Sequence, residues 1–200
     1  MSQSLLLDRE VTAFDFDKEF ETIWKRYNHD PAILEGAWNS ASREFLRLKD
    51  EALVEKKNFA YETNFHTRDV MDTVEEFRRN GFTTELIFLA LPNVAAAIER
   101  VKDRVLIKKG HSVDIETIRE RFKSGLQVLD QNFHSFDLFT LVLSRNIGNR
   151  NLLHIEERNG VKVATIRNAI PSELNLQLPL LHQGLQTIRT IRQGDLGLSI

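Results

Sequence analysis

Two kinds of charged residue in this chain are arranged as phosphoryl transfer requires. Asp17 follows the strand-like run V-T-A-F-D-F, and Glu62 follows a second such run, N-F-A-Y. Further along, Arg104 and Arg121 lie on either side of a K-K-G-H-S-V break between two helical patterns. A carboxylate can orient a hydroxyl and accept its proton, and guanidinium groups match phosphate oxygens. The sequence therefore predicts a carboxylate base that works with arginines on a helical hairpin.

Alternating strands and helices must position these side chains. Apolar runs predict four strands, at 11–16, 58–62, 85–91 and 137–143. Periodic patterns predict helices from Pro31 to about 55, at 69–79 and 94–107, and after an Asp114 cap. Such alternation indicates an α/β fold with a parallel sheet and helices on both faces. Ligands bind beyond the carboxyl ends of such strands, so we expect Asp17 and Glu62 to share one edge of the sheet.

The C-terminal third has a different pattern. Asn159-Gly160 separates two apolar runs, 152–156 and 161–166, and predicts a two-residue hairpin turn. Leu181, Leu185 and Ile188 then predict a helical tail that packs back on the domain, with an oligomer contact as the alternative.

Three segments resemble the motifs of the zeta toxin-like kinases. F-D-F-D-K-E resembles their strand-end motif, and F-A-Y-E-T-N resembles F-x-x-E-T-T with Asn64 in place of the second threonine. G-H-S-V-D-I-E-T-I-R-E-R-F is similar to their lid. The resemblance covers roughly residues 11–144 and implies a three-layer P-loop kinase fold that uses ATP and Mg²⁺. The division it implies is a kinase domain at 1–170, with its lid at about 104–121, and a C-terminal extension at 171–200.

The resemblance also implies roles for individual residues. Asp17 matches the base, with Asp15 as its nearest competitor; a helix cap is the alternative reading of Asp17. Glu62 and Thr63 match substrate-binding positions, although an ion pair would also explain Glu62. Arg104 and Arg121 match the lid arginines that bind the ATP phosphates, and surface ion pairs are the alternative for each.

Two other arginines, Arg100 and Arg119, are expected to be solvated.

The phosphate-cradling pattern G-x-x-x-x-G-K-[ST] does not occur in these 200 residues. The opening segment 2–10 is similar to the tail of the helix that follows that loop in the family, so the loop and the first strand would lie upstream of Met1. A mis-assigned start, a truncated chain and a true loss of the loop all remain open.

The amino-acid composition of the chain excludes or disfavours several classes of function. The chain has a net charge of −2, no cysteine and 42% hydrophobic residues. This composition disfavours nucleic-acid binding and excludes disulfides and thiolate chemistry. No apolar run is long enough for a membrane span, and no basic, apolar leader opens the chain, so we expect a cytoplasmic protein. The histidines have no metal-binding spacing, and no G-x-S-x-G turn supports a hydrolase.

The function predicted from sequence is an ATP-dependent kinase that phosphorylates a hydroxyl of a small molecule, with nucleotide sugars among the candidates. The alternative is a non-catalytic interaction protein on a degenerate kinase scaffold. An antitoxin or a second copy of the chain remains open as a partner.

Overall fold

The computed structural model describes residues 11–108, 113–144 and 148–192, without the side chains of residues 104, 106–108 and 192. The chain divides into two compact units, Met1–Asn64 and Phe65–Ile200. We call them the N-terminal unit and the C-terminal unit.

The N-terminal unit is built on two helices that pack against each other, α1 (Phe16–Arg26) and α2 (Leu34–Glu55). A 3₁₀ turn, Pro31–Ile33, leads into α2, and the Asp30 carboxylate accepts a hydrogen bond from the Ala32 amide at 2.9 Å. The predicted start at Pro31 and end near residue 55 are therefore confirmed. Helix α1 was expected only under the alternative reading in which Asp17 caps a helix, and its bounds were not predicted. It begins at Phe16 because the Asp15 carboxylate accepts a hydrogen bond from the Lys18 amide at 3.0 Å.

The two strands predicted in this unit are much shorter than the patterns indicated. Residues 11–16 and 58–62 share a single parallel bridge between Phe14 and Tyr61. The Phe14 amide donates to the Ala60 carbonyl at 2.8 Å, and the Glu62 amide donates to the Phe14 carbonyl at 2.8 Å. The prediction of strand through residue 16 was wrong because the cap at Asp15 turns the chain into α1.

The C-terminal unit contains helices α3–α7 and a five-stranded sheet. The helices are α3 (Asp69–Arg79), α4 (Val94–Lys108), α5 (Ile115–Asn132), α6 (Ser172–Asn175) and α7 (Pro179–Thr187). The strands are β1 (Glu85–Ala90), β2 (Leu138–Leu143), β3 (Arg150–Arg158), β4 (Val161–Ile166) and β5 (Arg189–Arg192). The unit is thus an α/β structure with helices flanking a sheet, as the sequence predicted.

The strand directions are mixed rather than parallel throughout. The sheet order is β1-β2-β3-β4-β5, with β1/β2 and β4/β5 parallel and the two central pairs antiparallel. The segment from Leu143 to Arg150 is too short for a parallel crossover, which needs about a dozen residues or more, so β3 must run back along β2.

Local turn chemistry was predicted correctly. Asn159 and Gly160 both have positive φ, 52° and 77°, which matches the turn that suits the twist of a hairpin. Helix α3 ends at Arg79, and Gly81 follows with φ 79°. The Asp114 cap of α5 is also present, accepting from the Thr117 amide at 2.9 Å.

The C-terminal leucines complete the core of this unit. Leu174, Leu178 and Leu181 are at most 1% exposed and belong to the same cluster as the side chains of β2, β3 and α5. This confirms that the tail packs back on the domain. The prediction that this helix includes Ile188 was wrong. Helix α7 ends at Thr187, because residues 189–192 pair with the edge of β4 and satisfy backbone groups there.

Candidate functional site

The candidate carboxylates of the N-terminal unit gather around the Phe14–Tyr61 bridge. The two paired segments run in the same direction. Asp15, which follows Phe14, and Glu62, which follows Tyr61, therefore lie on the same side of the bridge. Asp17 lies two residues further, exposed in the first turn of α1. The expected proximity of the two predicted carboxylate segments is therefore present within this unit, but Asp17 is a helical residue rather than the end of a strand.

Asp15 takes the capping role that the sequence offered as the alternative for Asp17. Its Oδ1 accepts from the Lys18 amide, and its backbone oxygen accepts from the Glu19 amide at 3.0 Å. Asp17 occupies the first turn, where a carboxylate interacts favourably with the helix dipole. The carboxylate that caps α1 is therefore that of Asp15 and not that of Asp17.

A cavity of about 650 Å³ opens beside the bridge, and all its lining residues belong to the N-terminal unit. This volume is within the range of small-molecule sites. The lining comes from the extended segments, the first turns of α1 and the end of α2: Val11, Thr12, Ala13, Phe14, Asp15, Lys18, Glu19, Thr22, Leu48, Glu51, Ala52, Lys57, Asn58, Phe59, Ala60 and Glu62. Glu62 therefore lies on the cavity as predicted for a substrate contact, whereas the lining includes Asp15 and not Asp17.

Thr63, the other predicted substrate contact, follows Glu62 and is exposed. Asn64, which replaces the second threonine of the family motif, is exposed as well.

The predicted lid arginines lie on two helices of the C-terminal unit that pack against each other. Arg104 is on α4, and its side chain is outside the described part of the structure. Arg121 is on α5 and is exposed. Gly110 and His111, which the lid motif places between them, also lie outside the described residues. The carboxylates and the arginines belong to different units, so their convergence on one pocket remains a prediction.

Two charged side chains at the start of α5, Asp114 and Arg119, interact with residues three positions away. The pKa of Asp114 is held below its ordinary value of 3.8, first by the hydrogen bond from the Thr117 hydroxyl and then by the Thr117 amide. Arg119 forms a surface ion pair with Glu116 at 3.3 Å, the kind of contact that the sequence suggested for these arginines.

Arg100 was expected to be solvated, yet it has a specific contact. Its Nη1 donates to Ser144 Oγ at 2.6 Å, and Ser144 is only 1% exposed at the end of β2. The Ser144 amide in turn donates to the Ala90 carbonyl at the end of β1, at 2.8 Å. This contact joins residues 44 positions apart, so neither residue's local pattern could have revealed it.

Neither a metal-ligand cluster nor a membrane-spanning helix is present in the described residues. They contain no group of three or more histidine, cysteine or acidic side chains placed to hold a metal ion. None of the helices within the described ranges has the length and hydropathy needed to cross a bilayer.

Comparison with protein families gives a match to the zeta toxin family over residues 20–158, more than half of the chain. The chain belongs to the zeta toxin family. Searches of curated proteins and of solved structures returned no match. Glu62, Thr63, Arg104 and Arg121 lie within the matched range, whereas Asp15 and Asp17 precede it.

Family membership supports a P-loop kinase-like, ATP-dependent phosphotransferase, a class that uses ATP and Mg²⁺. The cradle for the ATP phosphates in that class is a glycine-rich loop with a lysine at the start of a helix. No such pattern occurs among the nine glycines of this chain. The glycines of this chain therefore do not fit the phosphate-loop part of such a site.

Proposed function

We propose that this chain carries the acceptor-binding and base side of a kinase that transfers the γ-phosphoryl group of ATP to a hydroxyl of a small molecule. The observation that carries the proposal is the parallel bridge at Phe14–Tyr61. Through this bridge Glu62 lines a cavity next to the segment that contains Asp15 and Asp17. Membership of the zeta toxin family supports reading this cavity as part of a kinase site.

The proposed reaction is an in-line displacement. The acceptor oxygen bonds to the γ-phosphorus, the bond from that phosphorus to the β,γ-bridging oxygen breaks, and ADP leaves. The hydroxyl proton passes to a carboxylate, for which we propose Asp17. Glu62 and Thr63 would hold the acceptor by accepting and donating hydrogen bonds. Arg104 and Arg121 would neutralise charge on the transferring group.

Two isosteric substitutions test the base. Asp17→Asn removes a proton acceptor from an exposed position, and we expect phosphoryl transfer from labelled ATP to fall about 10²- to 10⁴-fold. Asp15→Asn is the matched control because asparagine is an equally good N-cap and keeps α1 intact. We expect it to retain most of the activity. If Asp15→Asn abolishes transfer and Asp17→Asn does not, the base is Asp15 and the assignment of Asp17 is wrong.

The absence of a phosphate-loop pattern favours a second candidate, a non-catalytic interaction protein on a kinase scaffold. Titration of the 200-residue chain with ATP-Mg²⁺ by calorimetry gives the ATP concentration that saturates the chain, and an assay of phosphoryl transfer at that concentration separates the two. We expect binding weaker than micromolar, because the backbone amides and lysine of the missing loop supply much of the phosphate affinity. Complete lack of transfer to every hydroxyl acceptor at saturating ATP would favour the non-catalytic protein.

A further inference from the structure

We propose that the cavity of the N-terminal unit selects an acceptor that is neutral or positively charged, such as an amino sugar, over an anion such as a sugar phosphate or a nucleotide sugar. This inference rests on the proposed function, since it names the class of acceptor for the same site.

Carboxylates outnumber cations on the cavity wall. Its lining includes Asp15, Glu19, Glu51 and Glu62, against two lysines, Lys18 and Lys57, for a formal charge of −2. An anionic ligand entering this cavity would meet like charge, whereas a cation would be attracted. The lining therefore disfavours an acceptor that carries phosphate groups.

One of the two lysines is already engaged by carboxylates. Lys57 Nζ lies 3.7 Å from Glu51 Oε1 and makes a closer ion pair with Glu55. These contacts raise the pKa of Lys57, with the Glu55 hydrogen bond as the largest cause. Lys57 thus belongs to a surface ion-pair network in which Glu51 on the wall is paired as well.

The surrounding charges do not reverse this balance. Arg47 Nη1 binds Glu51 at 2.8 Å, but its Nη2 also binds Glu44 at 2.8 Å. Arg47 is thus shared between Glu51 on the wall and Glu44 outside it, and the formal charge of the lining itself stays at −2.

Aromatic rings on the same wall favour the same ligands. Phe14 and Phe59 both line the cavity. The face of an aromatic ring attracts a cation and accepts the apolar face of a neutral ring, but it offers nothing to a phosphate. Charge and ring chemistry thus point to one class of acceptor.

Three probes that share one sugar ring test the inference: glucosamine, glucose and glucose 1-phosphate. We expect calorimetry at low ionic strength to show glucosamine and glucose binding about tenfold or more tightly than glucose 1-phosphate. The advantage of glucosamine should shrink in high salt. Equal or tighter binding of glucose 1-phosphate would overturn the inference, and so would the absence of saturable binding by all three probes.

Two substitutions on α2 test whether the preference for glucosamine over glucose 1-phosphate arises from the charge of the cavity lining. Glu51→Gln removes a charge from the wall, whereas the control Glu44→Gln removes the other Arg47 partner, which is not among the lining residues. We expect Glu51→Gln to reduce the preference for glucosamine over glucose 1-phosphate about threefold. Glu44→Gln should leave it unchanged. Equal effects of the two substitutions would mean that the preference does not come from the cavity.

Measurements of acceptor binding and of phosphoryl transfer distinguish a failure of the selectivity inference from a failure of the proposed kinase function. If glucosamine binds preferentially but is never phosphorylated, the selectivity stands and the proposed kinase function fails. If phosphoryl transfer proceeds best to glucose 1-phosphate, the kinase function stands and the selectivity is wrong.

Discussion

In the C-terminal unit many large apolar side chains are almost fully buried, whereas in the N-terminal unit the large apolar side chains that the structure describes stay partly exposed. Phe139, Leu129 and Leu141 are at most 1% exposed in the C-terminal unit. The buried apolar residues of α2 are alanines, and Trp38 on the same helix is 53% exposed. Ring contacts such as Phe16–Trp38, with centroids 4.4 Å apart, supply much of the packing there. The N-terminal unit, which holds the cavity, thus has the weaker core, in keeping with the tendency of binding regions to be less stable.

The largest effect on stability is expected from a cavity-forming substitution in the core of the C-terminal unit. We expect Leu129→Ala to lower the free energy of unfolding by about 2–5 kcal/mol, because the lost methyl groups leave a cavity among buried side chains. Leu176→Ala is the matched control, since Leu176 is 82% exposed, and it should change stability by no more than about 0.5 kcal/mol. Denaturant titration measures both. Similar values for the two variants would contradict the description of the C-terminal core.

A smaller effect is expected where the C-terminal tail docks. Asp130, 5% exposed on α5, accepts hydrogen bonds from the amides of Leu180 and Leu181 at 3.1 and 2.8 Å. Asp130→Ala should cost about 1–3 kcal/mol because it leaves both amides without their acceptor.

Hydrogen exchange checks this locally. In Asp130→Ala the amides of Leu180 and Leu181 should both exchange faster, whereas Asp130→Asn, which keeps one acceptor oxygen in place of two, should retain protection at only one of the two amides. Unchanged exchange in the alanine variant would show that the cap does not hold the tail.

In the N-terminal unit the corresponding cap should matter less. Asp15→Ala removes the acceptor for the Lys18 amide at the start of α1 and should cost about 1 kcal/mol. Urea unfolding followed by tryptophan fluorescence would report this unit, since Trp24 and Trp38 both lie in it. Asp15→Asn should be close to wild type, and a loss as large as that of alanine would reject the capping role.

The smallest expected effect concerns pH. The folded pKa of Asp114 lies below its ordinary value of 3.8, so its cap stabilises α5 fully above that value and loses this contribution as the pH falls through the lower folded pKa. We expect protection of the Thr117 amide to decline over this acidic range in the wild type. In Asp114→Asn, which cannot ionise, the decline should be absent. The same decline in both would assign it to another group.

Sequence reasoning succeeded where the structural cause is local. The starts at Pro31 and Ile115, the stop at Gly81 and the Asn159-Gly160 turn each depend on a few adjacent residues. The family resemblance was likewise confirmed by the match at 20–158, although the F-D-F-D-K-E motif precedes that range. The alternation of strands and helices was enough to predict the α/β class, although not the direction of every strand.

Sequence reasoning failed where a distant segment offers partners for backbone groups, since the open edge of β4 recruits residues 189–192 into β5. It also missed one local cause, the Asp15 cap that ends the first extended segment early. The Arg100–Ser144 hydrogen bond and the cavity wall bring together residues that no local pattern connects.

The amino-acid sequence by itself determined the family, several of the helix ends and the choice of candidate carboxylates and arginines, because these depend on residue type and short spacing. Only the tertiary structure decided that Asp15 rather than Asp17 caps α1 and lines the cavity, and that the wall of that cavity is acidic. Those properties depend on which side chains become neighbours in space, and the packing of α1, α2 and the Phe14–Tyr61 bridge sets that arrangement.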